Sequence, residues 1–214
     1  MSLYLAFDTA TDAPSLALGT PASPGDDLRV SSRHDLSRDI ERVTASLLAA
    51  RGARLGGLAG VIVADGPGSF TGLRIGIAFA KGLCRAAGLP LLSAPSLLGA
   101  ALAASGGRGT VLVEYDAQRG DVYRAVYRFD ARAPGAAGAG RVETVAAPAL
   151  APGDAPPPPL PGLVRAGAAQ ASAAALIRLG DLTGGLAAIE APDAWEPAYG
   201  RLAEAEARYR ARHG

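Results

Sequence analysis

The chain has 214 residues, 49% of them hydrophobic, which suits one large or two small domains with a substantial core. Twenty-one basic residues against 20 acidic ones leave a formal charge of +1, which argues against an autonomous nucleic-acid binder with one basic face. The single cysteine, Cys84, excludes an internal disulfide framework, and with His34 and His213 it matches no zinc-ligand spacing.

No basic segment followed by an apolar stretch opens the chain, and no charge-free run reaches the roughly 18 residues of a membrane span. A cytoplasmic protein without membrane contact is expected. Leu3 to Phe7, Ser15 to Leu18 and Leu28 to Ser32 read as three strands joined by turn residues. From Asp35 to Ala50 the spacing of Leu36, Ile40, Val43 and Leu47 predicts a helix, stopped at Gly52. Leu58 to Ala64 is a buried strand, Leu91 to Ser93 a short one, and Pro95-Ser96 opens a helix to about Ser105. Thr110 to Tyr115 and Asp121 to Phe129 are strands around a turn. On the second, Tyr123, Ala125, Tyr127 and Phe129 share one face. This block repeats the opening order after Gly106-Gly107, so a second lobe on the same plan is expected. Ala131 to Gly162 reads as a strand or two plus a stiff link, Leu163 to Arg165 as a strand, Ala168 to Leu179 as a helix, and Arg201 to Arg212 as a final helix. The expected division is 1–105, 106–195 and 196–214, with the last segment packing back on the first lobe.

Between the strand at 58–64 and the helix at 72–87 lies Gly66-Pro67-Gly68-Ser69-Phe70-Thr71-Gly72-Leu73-Arg74-Ile75-Gly76. Ser69 or Thr71 can cap the helix. Arg74, Lys81 and Arg85 fall at i, i+7 and i+11, one narrow polar stripe on a helix otherwise apolar or glycine. Such a helix is either the central core helix of a monomer or is covered in part by a second molecule. Gly72, Gly76 and Ala80 step by four and form a smooth ridge where another helix can approach. On that reading Gly76→Arg is expected to block pairing and leave the monomer folded.

The turn at 66–72 is not a P-loop, because no Lys-Ser or Lys-Thr pair follows Gly72. As an enzyme site it lacks a base: Asp65 has no evident partner, and His34, just before a helix, is more simply structural. Cys84 reads as a small hydrophobe. After the first strand, Asp8, Thr9 and Thr11 form a short acidic and hydroxylated loop. In actin-like ATPases and sugar kinases a loop of this kind faces phosphate, so these three are the candidates for nucleotide binding, with a solvated turn as the plainer reading.

Four stretches carry a resemblance: Leu5 to Thr11, the eleven residues from Gly66 to Gly76, Asp116-Ala117 with Gly120-Asp121-Val122-Tyr123, and Pro197-Ala198-Tyr199 with Arg201. In this order they resemble the TsaB (YeaZ) family, with departures at Gln118, Arg119 and Gly200. The resemblance implies an α/β, actin-like ATPase (ribonuclease H-like) fold of two related lobes, each a mixed sheet flanked by helices. It implies a non-catalytic partner of the transferase TsaD in making threonylcarbamoyladenosine at position 37 of tRNAs that read codons beginning with A. TsaC supplies threonylcarbamoyl-AMP, TsaE joins the complex, and tRNA is met only through it. In isolation a homodimer forms through the same first-lobe surface, here expected to include Gly68, Ser69, Phe70, Thr71, Gly72, Arg74, Gly76 and Ala80. The helix at 35–50 lacks the paired histidines of TsaD, so no metal, no catalytic residue and no required cofactor are expected, beyond weak nucleotide binding at Asp8, Thr9 and Thr11. The competing reading is a small-molecule kinase of the actin superfamily or an M22-type peptidase homologue.

Overall fold

Residues 2–32, 34–130 and 140–200 are described by the computed structural model. Strand β1 (Tyr4–Asp8) is buried on both faces. β2 (Ser15–Gly19) pairs with it antiparallel, with Leu5 opposite Leu18 and Phe7 opposite Leu16, and β3 (Leu28–Arg29) adds a short edge. On the other side β4 (Gly60–Ala64) runs parallel to β1, and β5 (Leu91–Ala94) parallel to β4. Parallel neighbours need crossovers, and α1 (Leu36–Ala50) and α2 (Phe70–Ala87) provide them. α1 buries Leu36, Ile40, Val43 and Leu47, the apolar stripe of its sequence, and each such side chain contributes about 1.5–3 kcal/mol.

Helix α3 (Ser96–Ser105) leads into the second sheet: β6 (Gly109–Asp116), β7 (Asp121–Asp130), β8 (Gly140–Pro152) and β9 (Val164–Gly167). β6, β7 and β8 form an antiparallel meander, and β9 returns parallel to β6. The spatial order is therefore β3-β2-β1-β4-β5 in the first sheet and β8-β7-β6-β9 in the second, one plan used twice. This is the ribonuclease H-like order, and its duplication is the actin-like architecture.

The chain then turns back. α4 (Ala173–Arg178) packs on β1, β2 and β4, while α3 packs on β6, β7 and β9. Leu176 of α4 meets α3 at Gly99, where a Cβ would lie 2.9 Å from its methyl. Phe7 packs edge-on against Phe79 of α2, whereas its neighbour Asp8 bonds to the start of α4, so the two helices lie on opposite faces of β1. The layers run α1 and α2, first sheet, α3 and α4, second sheet. Two short strands close the chain: β10 (Leu182–Thr183) joins β8, and β11 (Ala187–Ala188) joins β5. Residues beyond 106 thus contribute both a helix and an edge strand to the first lobe.

Some expectations change. The helix expected over 168–179 is broken: residues 168–170 form a single 3-10 turn, and α4 begins after Ser172, whose backbone is extended. The described part of the Ala- and Pro-rich stretch does hold a strand, β8, of 13 residues, before its extended link, as expected. Arg124 bonds that link through the carbonyls of Ala155 and Pro156. β3 stops at Arg29 because the next register pair is Val30 with Pro14: Val30 N–H still donates to the Pro14 carbonyl, but proline has no N–H to return the bond. The helix expected at 201–212 lies outside the described residues.

Among the described residues, two buried side-chain oxygens lack a hydrogen-bond partner, Thr44 Oγ1 and Tyr127 OH. Tyr127 is fully buried in the face of β7 that looks toward the first lobe. A lone buried hydroxyl is costly. Tyr127→Phe keeps the ring and removes the unpaired group, so it should raise unfolding stability by about 1 kcal/mol in urea denaturation. A loss of stability would show that the hydroxyl is bonded in solution.

Candidate functional site: the glycine turn and helix α2

The turn after β4 is held by backbone on three sides. Gly66 and Ser96 exchange bonds: Gly66 N–H donates to Ser96 Oγ (3.0 Å) and Ser96 N–H to the Gly66 carbonyl (2.9 Å). Tyr115 OH, from the second sheet, donates to the Ser96 carbonyl (3.2 Å). Gly66 has φ 105°, a conformation that favours glycine, and a Cβ there would strike the Ala198 carbonyl. Ser69 N–H donates to the Ala10 carbonyl (2.6 Å), and Ser69 Oγ caps α2 by accepting from Gly72 N–H (3.2 Å).

The loop after β1 lies directly against α2. A Cβ on Gly68 would sit 2.7 Å from that of Ala10. One on Gly72 would strike the Thr9 carbonyl, and one on Gly76 would meet the Thr9 side chain, 2.8 Å from Cγ2. Gly72, Gly76 and Ala80 are buried, together with Leu73, Ile77 and Cys84. The smooth ridge expected to receive a neighbouring molecule therefore receives the chain's own Thr9. This corrects the reading of Gly72, Gly76 and Ala80 as open surface, and it makes Gly76→Arg a disruption of the monomer.

The polar stripe is also engaged within the chain. The segment 191–200 runs along it as a strap. Arg85 lies 3.8 Å from Asp193, both exposed. Lys81 Nζ donates to the Trp195 carbonyl (2.6 Å) and lies 5.6 Å from that ring. Arg74 stacks over Phe70 (4.1 Å) and lies near Tyr199 (5.5 Å), whose ring packs on Phe70 at 4.7 Å. Ala198 N–H closes the strap on the Asp65 carbonyl (2.8 Å). Among the described residues nothing covers the third side of α2, formed by Thr71, Ile75, Ala78, Gly82 and Ala86, all exposed or half-exposed on one helical face. A Cβ on Gly82 would meet nothing within 4 Å. Of the expected surface residues, Thr71 and Arg74 are exposed, while Gly68, Ser69 and Phe70 are half-buried at the turn. Sequence reasoning missed Ala78, Gly82 and Ala86. Their spacing of four is as regular as that of Gly72, Gly76 and Ala80, but nothing local says which small ridge faces the sheet.

Asp8, Thr9 and Thr11 are buried. Asp8 Oδ1 accepts from Ala10 N–H (3.3 Å) and Oδ2 from Ser172 N–H (3.1 Å), and Thr11 Oγ1 accepts from Ala13 N–H (3.3 Å). Burial pushes the Asp8 carboxyl up from the usual 3.8 to about 6, against the pull of those two amides, with Asp27 raising it and Arg29 lowering it. Asp65 is also pushed up to about 6 by burial, opposed by its bond to Ser93. Cys84 is buried, which raises its thiol to about 11 and keeps it an inert core residue. His34 is exposed just before α1. Gln118 and Arg119 both adopt left-handed backbone in the β6–β7 turn. Gly200 fits where no side chain could, since a Cβ would lie 2.8 Å from that of Pro67. Among the described residues, no group of three or more His, Cys, Asp or Glu is placed to hold a metal, and no helix is long and apolar enough to cross a membrane.

Two sheets of one strand order, with α3 and α4 packed between them, define a protein of the actin-like, ribonuclease H-like class. A family model described as "TsaD: tRNA N6-adenosine threonylcarbamoyltransferase" matches residues 29–153, more than half of the chain. The tRNA threonylcarbamoyladenosine biosynthesis protein TsaB of Escherichia coli (strain K12) is 37% identical over 128 residues, 59% of this chain and 55% of that one. This chain thus spans about half the length of that relative. The uncharacterized protein Mb3455c of Mycobacterium bovis is 37% identical over 172 residues, 73% of this chain and 74% of that one. The crystal structure of an uncharacterized protein from Pseudomonas aeruginosa with similarity to peptidase YEAZ shares the fold, with a TM-score of 0.72 at 23% identity over 94% of this chain and 100% of that one. The chain belongs to the TsaB (YeaZ) family.

The two kinds of glycine in α2 should behave oppositely. Gly76→Ala forces a methyl into Thr9 and should cost about 1–3 kcal/mol. Gly82→Ala meets open space and should gain up to about 1 kcal/mol from helix propensity. Urea midpoints of the two variants check the contrast, and equal effects would mean that α2 is turned differently. The raised carboxyls set a pH dependence. Asp8 and Asp65 hold their protons to a higher pH folded than unfolded, so the unfolded chain releases them first and stability falls as pH rises from about 4 through about 6. Asp65→Asn should therefore lose less stability than the unchanged protein between pH 5 and pH 7.5, measured by denaturant midpoint.

Proposed function

We propose that this chain is a non-catalytic subunit that docks on a TsaD-type transferase and supports it in forming threonylcarbamoyladenosine at position 37 of tRNAs reading codons that begin with A. The observation that carries this reading is the open stripe of α2. Thr71, Ile75, Ala78, Gly82 and Ala86 leave a smooth, mostly apolar ridge, while the helix's other two sides are covered by the first sheet and by the strap. Small residues at every fourth position let a second helix approach closely. Family membership supplies the partner class: the matching family model describes the transferase, and the E. coli relative is named for this tRNA modification. TsaD brings its first-lobe helices to the stripe, TsaE joins the pair, and tRNA is met through the complex in the cytoplasm. Without TsaD, two copies of this chain pair through the same stripe. The chain needs no cofactor of its own in this role. Asp8 and Asp65, the two carboxyls raised to about 6 among the described residues, are committed to bonds inside the fold, which supports a non-catalytic role.

Gly82→Arg places bulk on the stripe without touching the core. The variant should co-purify with the same organism's TsaD at least about tenfold less well and support correspondingly less tRNA modification, with an unchanged melting temperature. Undiminished association would remove the stripe from the interface. Turnover of a sugar or a peptide by this chain alone would favour the kinase or peptidase-homologue reading instead.

A further inference from the structure

Helix α2 carries three cations and no acid: no Asp or Glu occurs between Phe70 and Ala87. Two of the three are matched by the strap, Lys81 by the Trp195 carbonyl (2.6 Å) and Arg85 by Asp193 (3.8 Å). Arg74 is exposed and is not matched. Its guanidinium lies over Phe70 (4.1 Å) and beside Tyr199 (5.5 Å), and among the described residues no oxygen accepts a hydrogen bond from it. The two rings, 4.7 Å apart, support the fork, and its N–H donors are free. On the helix surface its neighbours are Thr71, three residues before, and Ala78, four after, both in the exposed stripe. The fork therefore stands at the edge of that stripe, steadied before it has a partner.

We infer that Arg74 selects what pairs with the stripe: it takes a carboxylate from a helix of the transferase and counts against a second copy of this chain. This rests on the docking reading given above. A planar guanidinium with free donors matches a carboxylate through two parallel bonds. A cation covered without such a partner loses its water and gains nothing in return. A second copy brings no carboxylate in its α2. The two acids of its strap are already held, Asp193 by Arg85 and Glu196 by the Tyr199 hydroxyl (3.3 Å). Pairing of two copies through the stripe therefore covers Arg74 unmatched, whereas a helix that sets Asp or Glu opposite the Thr71–Ala78 turn matches it. Specificity then comes from repulsion as well as attraction. A protein carboxylate fits better than a nucleic-acid phosphate, because the surface beside Arg74 is small and apolar and the next two cations along α2 are engaged by the strap.

Arg74→Met keeps an unbranched stem over Phe70 and removes the charge. It should bind the same organism's TsaD about tenfold more weakly. Its homodimer, read by analytical ultracentrifugation, should tighten about threefold or more, with the melting temperature within about 4 °C of the unchanged protein. Arg74→Lys, which keeps the charge but not the fork, should lose part of the TsaD affinity and leave the homodimer as weak as before. Opposite shifts are the mark of a selecting residue, since damage to α2 would weaken both pairings. A homodimer of Arg74→Met that weakens or stays the same, or TsaD binding that is undiminished, would overturn the inference. If Gly82→Arg still blocks TsaD in that case, the docking reading stands without it. No association of the unchanged chain with TsaD would remove both. A mobility shift of tRNA by this chain alone, abolished by Arg74→Met, would assign the guanidinium to phosphate and overturn the inference as well.

Discussion

Thr9 presses on α2 at the two positions where the helix has no side chain, and this contact sets how the helix is turned. Gly72 leaves room for the Thr9 carbonyl and Gly76 for its side chain. A glycine inside a helix costs about 1 kcal/mol relative to alanine, so two adjacent turns of α2 give up stability to let the β1–β2 loop come close. With either position filled, α2 would have to lift from β1 and Leu73, Ile77 and Cys84 would leave the core. Once those residues face the sheet, helical geometry leaves Arg74, Lys81 and Arg85 on one flank. The strap from Asp193 to Tyr199 meets them there. The last flank is the small-residue stripe centred on Ala78 and Gly82.

The contacts on the cationic flank differ in weight. Arg85 and Asp193 are both solvent-exposed, and a pair of that kind contributes little. Lys81 is half-buried and bonds a backbone carbonyl at 2.6 Å beside the Trp195 ring. The bond from Ala198 to Asp65 fixes the strap to the turn itself. The strap is thus anchored mainly by Trp195 and Ala198, and Tyr199 then supports Phe70 and Arg74 at the start of α2. The closing Pro197-Ala198-Tyr199 motif and the glycine turn are two halves of one packing unit.

Periodicity made much of this legible. The core face of α1, the buried strand β4 and the alternation of β7 all follow from local residue order, and of the two candidate caps, Ser69 and Thr71, Ser69 is the one used. The single polar stripe of α2 was equally plain. Its two remaining flanks were not distinguishable, because both carry small residues and the deciding contact, Thr9, lies more than sixty residues earlier in the chain. The break in the helix at Ser172 was hidden in an Ala-rich run, since its cause is a set of acceptors in the first lobe. β8 was obscured for a related reason. Most of its residues are exposed, so alternation is weak, and its place is fixed by pairing with β7 rather than by burial.

Three consecutive residues join the two sides of the first sheet. Asp8 bonds the start of α4 on one face, Thr9 supports α2 on the other, and the Ala10 carbonyl holds Ser69 at the head of α2. Because the three residues are consecutive, a shift of the loop toward one helix strains the contacts it makes with the other. An actin-like enzyme that works by opening its cleft needs freedom at this point, whereas a protein that presents a helix to a partner needs the opposite. The buried carboxylate of Asp8 would be a poor choice for stability alone, because its desolvation outweighs the two amide bonds it accepts. Its presence makes sense where a fixed geometry is required, since it satisfies both the loop and the first amide of α4 in a single arrangement. Through Asp8 and Thr9 one loop therefore sets both the start of α4 and the turning of α2, so the direction in which the exposed stripe of α2 points is decided by contacts within the first lobe.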